Sequence, residues 1–227
     1  MVLRAATWPA GIFPRTGMFG FNSSTRSGGA SIANSEQIVA ANPSWRARFS
    51  GPVVTEESVL SWRAFVAGMN GRAGTVLVPR WEEYGVRDMN GKMLNQVEAA
   101  SYDRGGLNFD LSGFGQYEPV HTTLAANAAL NATQISVNLL DGGGPRPGQF
   151  FGIADRLHMA MQVWQVEEGA ATQIRFTPWL RAPALAGARV ILDRPVCLMR
   201  FASDQTGDLE LDMGRWGNGE LEMVEAI

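Results

Sequence analysis

Between Thr55 and Asn70 the chain carries its one run of apolar residues at helical spacing, Val59, Leu60, Trp62, Phe65, Val66 and Met69, while nearly everything around that run is spaced as strand. Thr55 is placed to cap the helix start, Glu56 and Glu57 suit its positive end, and Gly71 supplies a stop. Just upstream, "WRARFS" sets Trp45, Ala47 and Phe49 on one face and Arg46 and Arg48 on the other. Just downstream, "GTVLVP" is a short apolar run that Pro79 ends by withdrawing its ladder donor. A sheet with one apolar face has to bury it, and one amphipathic helix between two strands is a natural cover. The sequence therefore predicts a β-rich domain in which Val59, Trp62, Val66 and Met69 pack inward on a sheet.

From Gly17 to Ile38 glycine and serine alternate with short apolar pieces, the texture of a strand broken by loops or bulges. From Glu82 to Glu118 the pattern dissolves into Gly, Asn and Asp with isolated apolar residues, a connection long enough to be functional or ordered by a partner. Then the texture becomes strongly β. "QISVNLL", "GQFFGI", "LHMAMQVWQV" and "TQIRFTPWL" are separated by "DGGGPRPG", "ADR" and "EEGAA", all turn chemistry, and closely spaced strands of this kind build a small barrel or sandwich. The ending, "ARVILD", "VCLMRF", "GDLELDM" and "ELEMVEAI", again reads as strands that return to complete the first sheet. The predicted organisation is mainly β: a discontinuous domain of residues 1–81 and 194–227, a polar connection 82–118, and an inserted β-barrel of residues 119–193.

Composition closes off several function classes. A chain of 227 residues with 45% hydrophobic and 18% charged residues buries a real core. Its 19 basic and 22 acidic residues leave a net charge of -3 without a basic stripe, which argues against a general phosphate-binding surface, and no sequence-specific nucleic-acid partner is expected. The lone cysteine, Cys197, sits in the apolar "VCLMRF" and reads as a small buried hydrophobe of a chain folded in cytoplasm. No signal peptide is indicated at "MVLRAATWPAGIFPR", and no apolar run is long enough to cross a bilayer, so no membrane partner is expected.

Residues for chemistry are sparse. His121 in "EPVHTT" and His158 in "RLHMAM" have no Cys, His or carboxylate at metal-ligand spacing, and each reads as a strand or loop histidine making one hydrogen bond. "NSSTRSGG" holds hydroxyls beside an arginine but no nucleophile elbow. "GGGPRPG" precedes a strand and lacks a lysine, so it is a turn and not a phosphate cradle. Glu82, Glu83, Asp103 and Asp110 lie near the long connection, where two carboxylates meeting would make a glycosidase pair, although their spacing gives this no support. Of seven tryptophans, Trp45, Trp62 and Trp164 fall on apolar faces and read as core; Trp8, Trp81, Trp179 and Trp216 remain as surface anchors able to stack on sugars. No catalytic, cofactor-binding or metal-binding residue is assigned, and the expectation is a protein that is not an enzyme.

Two regions carry a family resemblance. "FNSSTRSGGASIANSEQIVAANPSWRARFS" followed by "VLSWRAFVAGMNGRAGTVLVP" resembles the N-terminal region of distal tail proteins of long-tailed bacteriophages and gene transfer agents. "NATQISV", "PRPGQFFGIADRLHMAMQV" and "TQIRFTPWLRAPALAGARVILDRPVCLMRF" look like the second half of such proteins. Residues 82–118 and the acidic ending do not share in the likeness. What the resemblance implies is a structural part of the virion tail tip, made in the host cytoplasm: a β-sandwich collar with one packed helix, forming a homohexameric ring that joins the tail tube protein to the baseplate hub protein, with an inserted oligonucleotide/oligosaccharide-binding-like barrel. A receptor- or glycan-binding tail module is the alternative, and a tail-associated glycan hydrolase a more distant one.

Overall fold

The computed structural model describes residues 5–9, 12, 14–22, 25–28, 37–40, 43–81, 84–87, 109–110, 113–114, 122–139, 144–166, 170–192, 194–212 and 216–227. The fold is mainly β, with one α-helix among the described residues. It divides into two compact units, Met1–Pro79 with Cys197–Ile227, and Arg80–Val196. The sequence reading set these joints at 81/82 and 193/194 and kept 82–118 as a separate connection, of which only residues 84–87, 109–110 and 113–114 are described. Most of 82–118 lies outside the described residues, and with it the expectation that it orders on assembly.

Along the chain, the first unit contributes β1 (Ala6–Thr7), β2 (Thr16–Asn22), β3 (Thr25–Gly28), β4 (Gln37–Ala40), β5 (Ser44–Val53), α1 (Glu56–Met69) and β6 (Val76–Pro79). The second contributes β7 (Phe109–Asp110), β8 (Gly113–Phe114), β9 (Thr122–Leu124), β10 (Gln134–Leu139), β11 (Phe150–Ile153), β12 (Arg156–Trp164) and β13 (Thr172–Thr177). The chain then returns through β14 (Val196–Phe201), β15 (Leu211–Asp212) and β16 (Trp216–Glu225). "ARVILD", expected as a strand, makes only isolated bridges at Arg189 and Ile191, and "GDLELDM" shrinks to the two residues of β15.

The first sheet runs β1-β6-β14-β16-β5-β2, with β15 paired to β16. Both ends of the chain therefore build it. Direct register places Phe21 opposite Trp45, Phe19 opposite Ala47, Leu221 opposite Phe49 and Phe201 opposite Met223, so alternation gathers the apolar residues of four strands on one face. Trp45, Ala47, Phe49, Val76, Val78, Cys197, Met199, Phe201, Leu221 and Met223 are all buried. At the start of β5 the buried Glu225 carboxylate accepts from the Trp45 amide at 3.0 Å, taking the place of a ladder carbonyl.

Helix α1 begins at a reciprocal capping box: Thr55 Oγ1 accepts from the Ser58 amide at 3.2 Å, and Ser58 Oγ accepts from the Thr55 amide at 3.0 Å. It ends one residue earlier than Gly71 implied, because Asn70 itself adopts the left-handed conformation at φ 49° and Gly71 follows at φ 62°. Val59, Trp62, Phe65 and Met69 are buried and Val66 is half-buried, but Leu60 is 56% exposed. At about 100° per residue Leu60 points nearly opposite the stripe's centre, which excludes it from the inward face.

Trp62 is the pin of this packing. Its indole lies flat against Gly219 of β16, where any Cβ would overlap the ring, and its Nε1 donates to Gly207 O at 2.7 Å. Gly207 sits at φ 95° with Val66 crowding the place a side chain would take. Replacing Gly219 by alanine forces the indole out of this seat and is expected to cost about 1–3 kcal/mol of stability. Equilibrium denaturation checks it; an unchanged midpoint would refute the close approach.

In the second unit the sheet order is β11-β12-β13-β10-β9, antiparallel throughout. It is curled, and residues 188–191 bond to both of its edges: Val190 N to Thr122 O and Leu124 N to Ala188 O on β9, and a reciprocal Gly152–Ile191 pair on β11. The register shifts between Ala160 and Gln162 on β12, a bulge that adds bend. Inside lie Val86, Leu124, Ile135, Val137, Phe151, Ile153, Ile174, Phe176, Leu180 and Val190. Arg80 N donates to Pro195 O at 3.1 Å, so this unit's first and penultimate residues meet.

Candidate interaction surfaces

The alternation that buries one face of the first sheet leaves the other open to solvent over much of β5 and β16 and half-buried over β14. On it the exposed Arg46, Arg48, Glu220 and Glu222 project from β5 and β16, with Met18 of β2 48% exposed beside them. Arg48 and Glu222 face each other directly and form an ion pair at 3.4 Å. Such a pair, exposed on both sides, contributes at most about 1 kcal/mol, so its interest is in position and not in stability. At the acidic end the surface sinks into an open polar hollow of about 340 Å³, bordered by Arg48, Gln205, Thr206, Asp208, Glu220 and Glu222. The apolar side offers far less room: the crevice between Trp8, Phe49, Trp62 and Gly219 encloses about 20 Å³, space for roughly one water.

A second surface belongs to the second unit. Trp81 is 38% exposed and Tyr84 79% exposed on the stretch leading to the buried Val86. That stretch is held to β11 by Gln149, whose Nε2 donates to Tyr84 O at 2.9 Å and Gly85 O at 3.0 Å, and by the Arg80 guanidinium lying over the Phe150 ring at 4.7 Å. Trp179, 36% exposed, sits elsewhere, just past β13.

The other sequence candidates scatter. His158 is buried between Phe151 and Phe176, with ring centroids at 5.5 and 4.9 Å, and its Nδ1 is 2.8 Å from Pro178 O. A carbonyl can only accept, so Nδ1 carries the proton and the ring serves the core. His121, Glu82, Glu83 and Asp103 lie outside the described residues, Asp110 is described only as backbone of β7, and Trp216 only as backbone of β16. Among the described residues no group of three or more His, Cys, Asp or Glu is placed to hold a metal ion. No helix there is long and apolar enough to cross a membrane. The described part of "GGGPRPG" turns into β11 with Gly148 at φ 90°.

Two tryptophans exchange their expected roles. Trp8 packs edge-on to Phe49 at 5.4 Å and near Phe65 at 5.7 Å, with Nε1 donating to Ile12 O at 2.7 Å, so it belongs to the core margin and is no surface anchor. Trp164, read as core, is 38% exposed, because the bulge at Ala160/Gln162 shifts the alternation of β12 before it reaches residue 164. Sequence reasoning missed Tyr84, Gln149 and Gly219, although the pattern G-x-G at Gly217 and Gly219 inside an apolar strand is a signal of close approach. Compared with models of protein families and with curated proteins, the chain matches none.

Proposed function

We propose that this protein is a structural component of a bacteriophage tail tip, a distal tail protein whose copies form a hexameric ring joining the tail tube protein to the baseplate hub protein. The observation that carries the reading is where the resembling segments fall. "WRARFS" and "VLSWRAFVAGMNGRAGTVLVP" supply β5, α1 and β6, while "NATQISV" through "VCLMRF" supplies β10 to β14. In this reading the first sheet and its helix are part of the β-sandwich collar, and the curled second sheet with its bridged edges is the oligonucleotide/oligosaccharide-binding-like barrel inserted into it. A ring part needs surfaces that neighbours satisfy and no reacting groups. The protein would then be found at the tail tip of the virion.

Mass in solution combined with negative-stain images tests this: rings of about six copies are expected, with the purified tube and hub proteins binding opposite rims. A species that stays monomeric at high concentration and ignores both partners would overturn it. The exposed Trp81 and Tyr84 favour one other reading, a glycan-binding tail module. Saturable glycan binding lost on Trp81→Ala would select it, and hydrolysis of the glycan would point further, to a hydrolase.

A further inference from the structure

We infer that the open face of the first sheet is an interface between two copies of this chain, stacked face to face about a twofold axis so that the arginines of each copy meet the glutamates of the other. The register sets the charges out in rows. Gly20, Arg46, Val224 and Arg200 lie side by side across β2, β5, β16 and β14; next come Met18, Arg48 and Glu222; then Thr16, Ser50 and Glu220. The first and third rows are four residues apart along β5, about 13 Å at strand rise.

The face is therefore basic at one end and acidic at the other. Asp208 and the exposed Asp212, which is paired to Trp216, add to the acidic end. Arg46 and Glu220 are exposed and make no ion pair with the described residues, while Arg200 is half-buried with its Nε enclosed and without an acceptor, a buried donor that an incoming carboxylate would satisfy through the guanidinium.

A twofold axis lying across the strands through the Arg48–Glu222 row exchanges the two ends while keeping strand over strand. Arg46 and Arg200 flank the central strand β16, and Glu220 is on β16 itself. Glu220 of a second copy thus arrives opposite the gap between two guanidiniums, twice per dimer, and the arginines enter the polar hollow at the acidic end. A different partner would have to match both signs at the same spacing, whereas a second copy matches them by symmetry. Three arginines on the face are too few to make a nucleic-acid footprint. The contact is electrostatic, and salt should weaken it steeply.

The contact lies on the face of the first sheet and does not require that six copies close a ring. The test uses the full chain in two reversed forms, Arg46→Glu with Arg200→Glu, and Glu220→Arg with Glu222→Arg. In sedimentation at low salt the wild-type species, single subunit or ring, is expected to pair with a second one, each form alone to pair at least about tenfold more weakly, and an equal mixture of the two to recover association. A ring held through other surfaces does not produce that recovery. A mixture no better than its components, or a wild-type association indifferent to salt, overturns the inference. Circular dichroism monitors folding of each form, and if either misfolds, Arg46→Gln and Glu220→Gln, each expected to weaken the dimer, replace them. No weakening in either replacement also overturns the inference.

Discussion

Trp62→Ala lowers the stability of the first unit by about 3–5 kcal/mol, the range for emptying a large aromatic from a packed core. Three losses coincide there: a side chain only 3% exposed, the ring's contact with Gly219, and the donor that satisfies Gly207 O. The last leaves a buried carbonyl without its partner, which adds to the cavity. Chemical denaturation measures the total, and hydrogen exchange locates it, since protection should fall in α1 and in β16 around Gly219. A loss below about 1 kcal/mol would show that the helix is an ornament to the sheet and not its cover. Trp62→Phe separates the terms, because it keeps most of the ring while deleting the donor.

Phe176→Ala is the matching experiment in the second unit, again with about 3–5 kcal/mol expected. Phe176 is fully buried, lies edge-on to Phe151 at 5.6 Å and to His158 at 4.9 Å, and stands at the centre of the curled sheet. Removing it takes away the wall that keeps His158 dry, so hydration of the imidazole should follow. NMR of the His158 ring reports this directly. An unmoved ring signal in a folded variant would mean that the neighbouring residues close the gap unaided.

How far the sequence was legible depends on the range of the force that decides each feature. Helix α1 and strand β5 were readable because capping, periodicity and burial all act within a few residues. The swap of Trp8 and Trp164 was not, since one depends on a contact with Phe49 across the fold and the other on a bulge whose cause is the pairing of β12 with β13. Nor was the role of Gly219: only the docked indole of Trp62, distant in the chain, gives that glycine its meaning. The charges of the open face were individually visible, yet their sorting into a basic and an acidic end appears only once β5, β14 and β16 are in register. His158 was read as a histidine making one hydrogen bond, and the bond to Pro178 O sits in a core that sequence alone did not place.

The bond between Arg80 N and Pro195 O has a consequence for how such a chain can change over time. The second unit leaves its host after β6 and comes back at β14, and those two strands are neighbours in one sheet. The chain thus leaves and re-enters the first sheet on adjacent strands. A short turn from Pro79 to Cys197 would close the host without moving a strand, and another guest with similarly placed ends would fit between the same two strands. In such an exchange the helix-backed sheet is the part kept, and the curled sheet the part replaced.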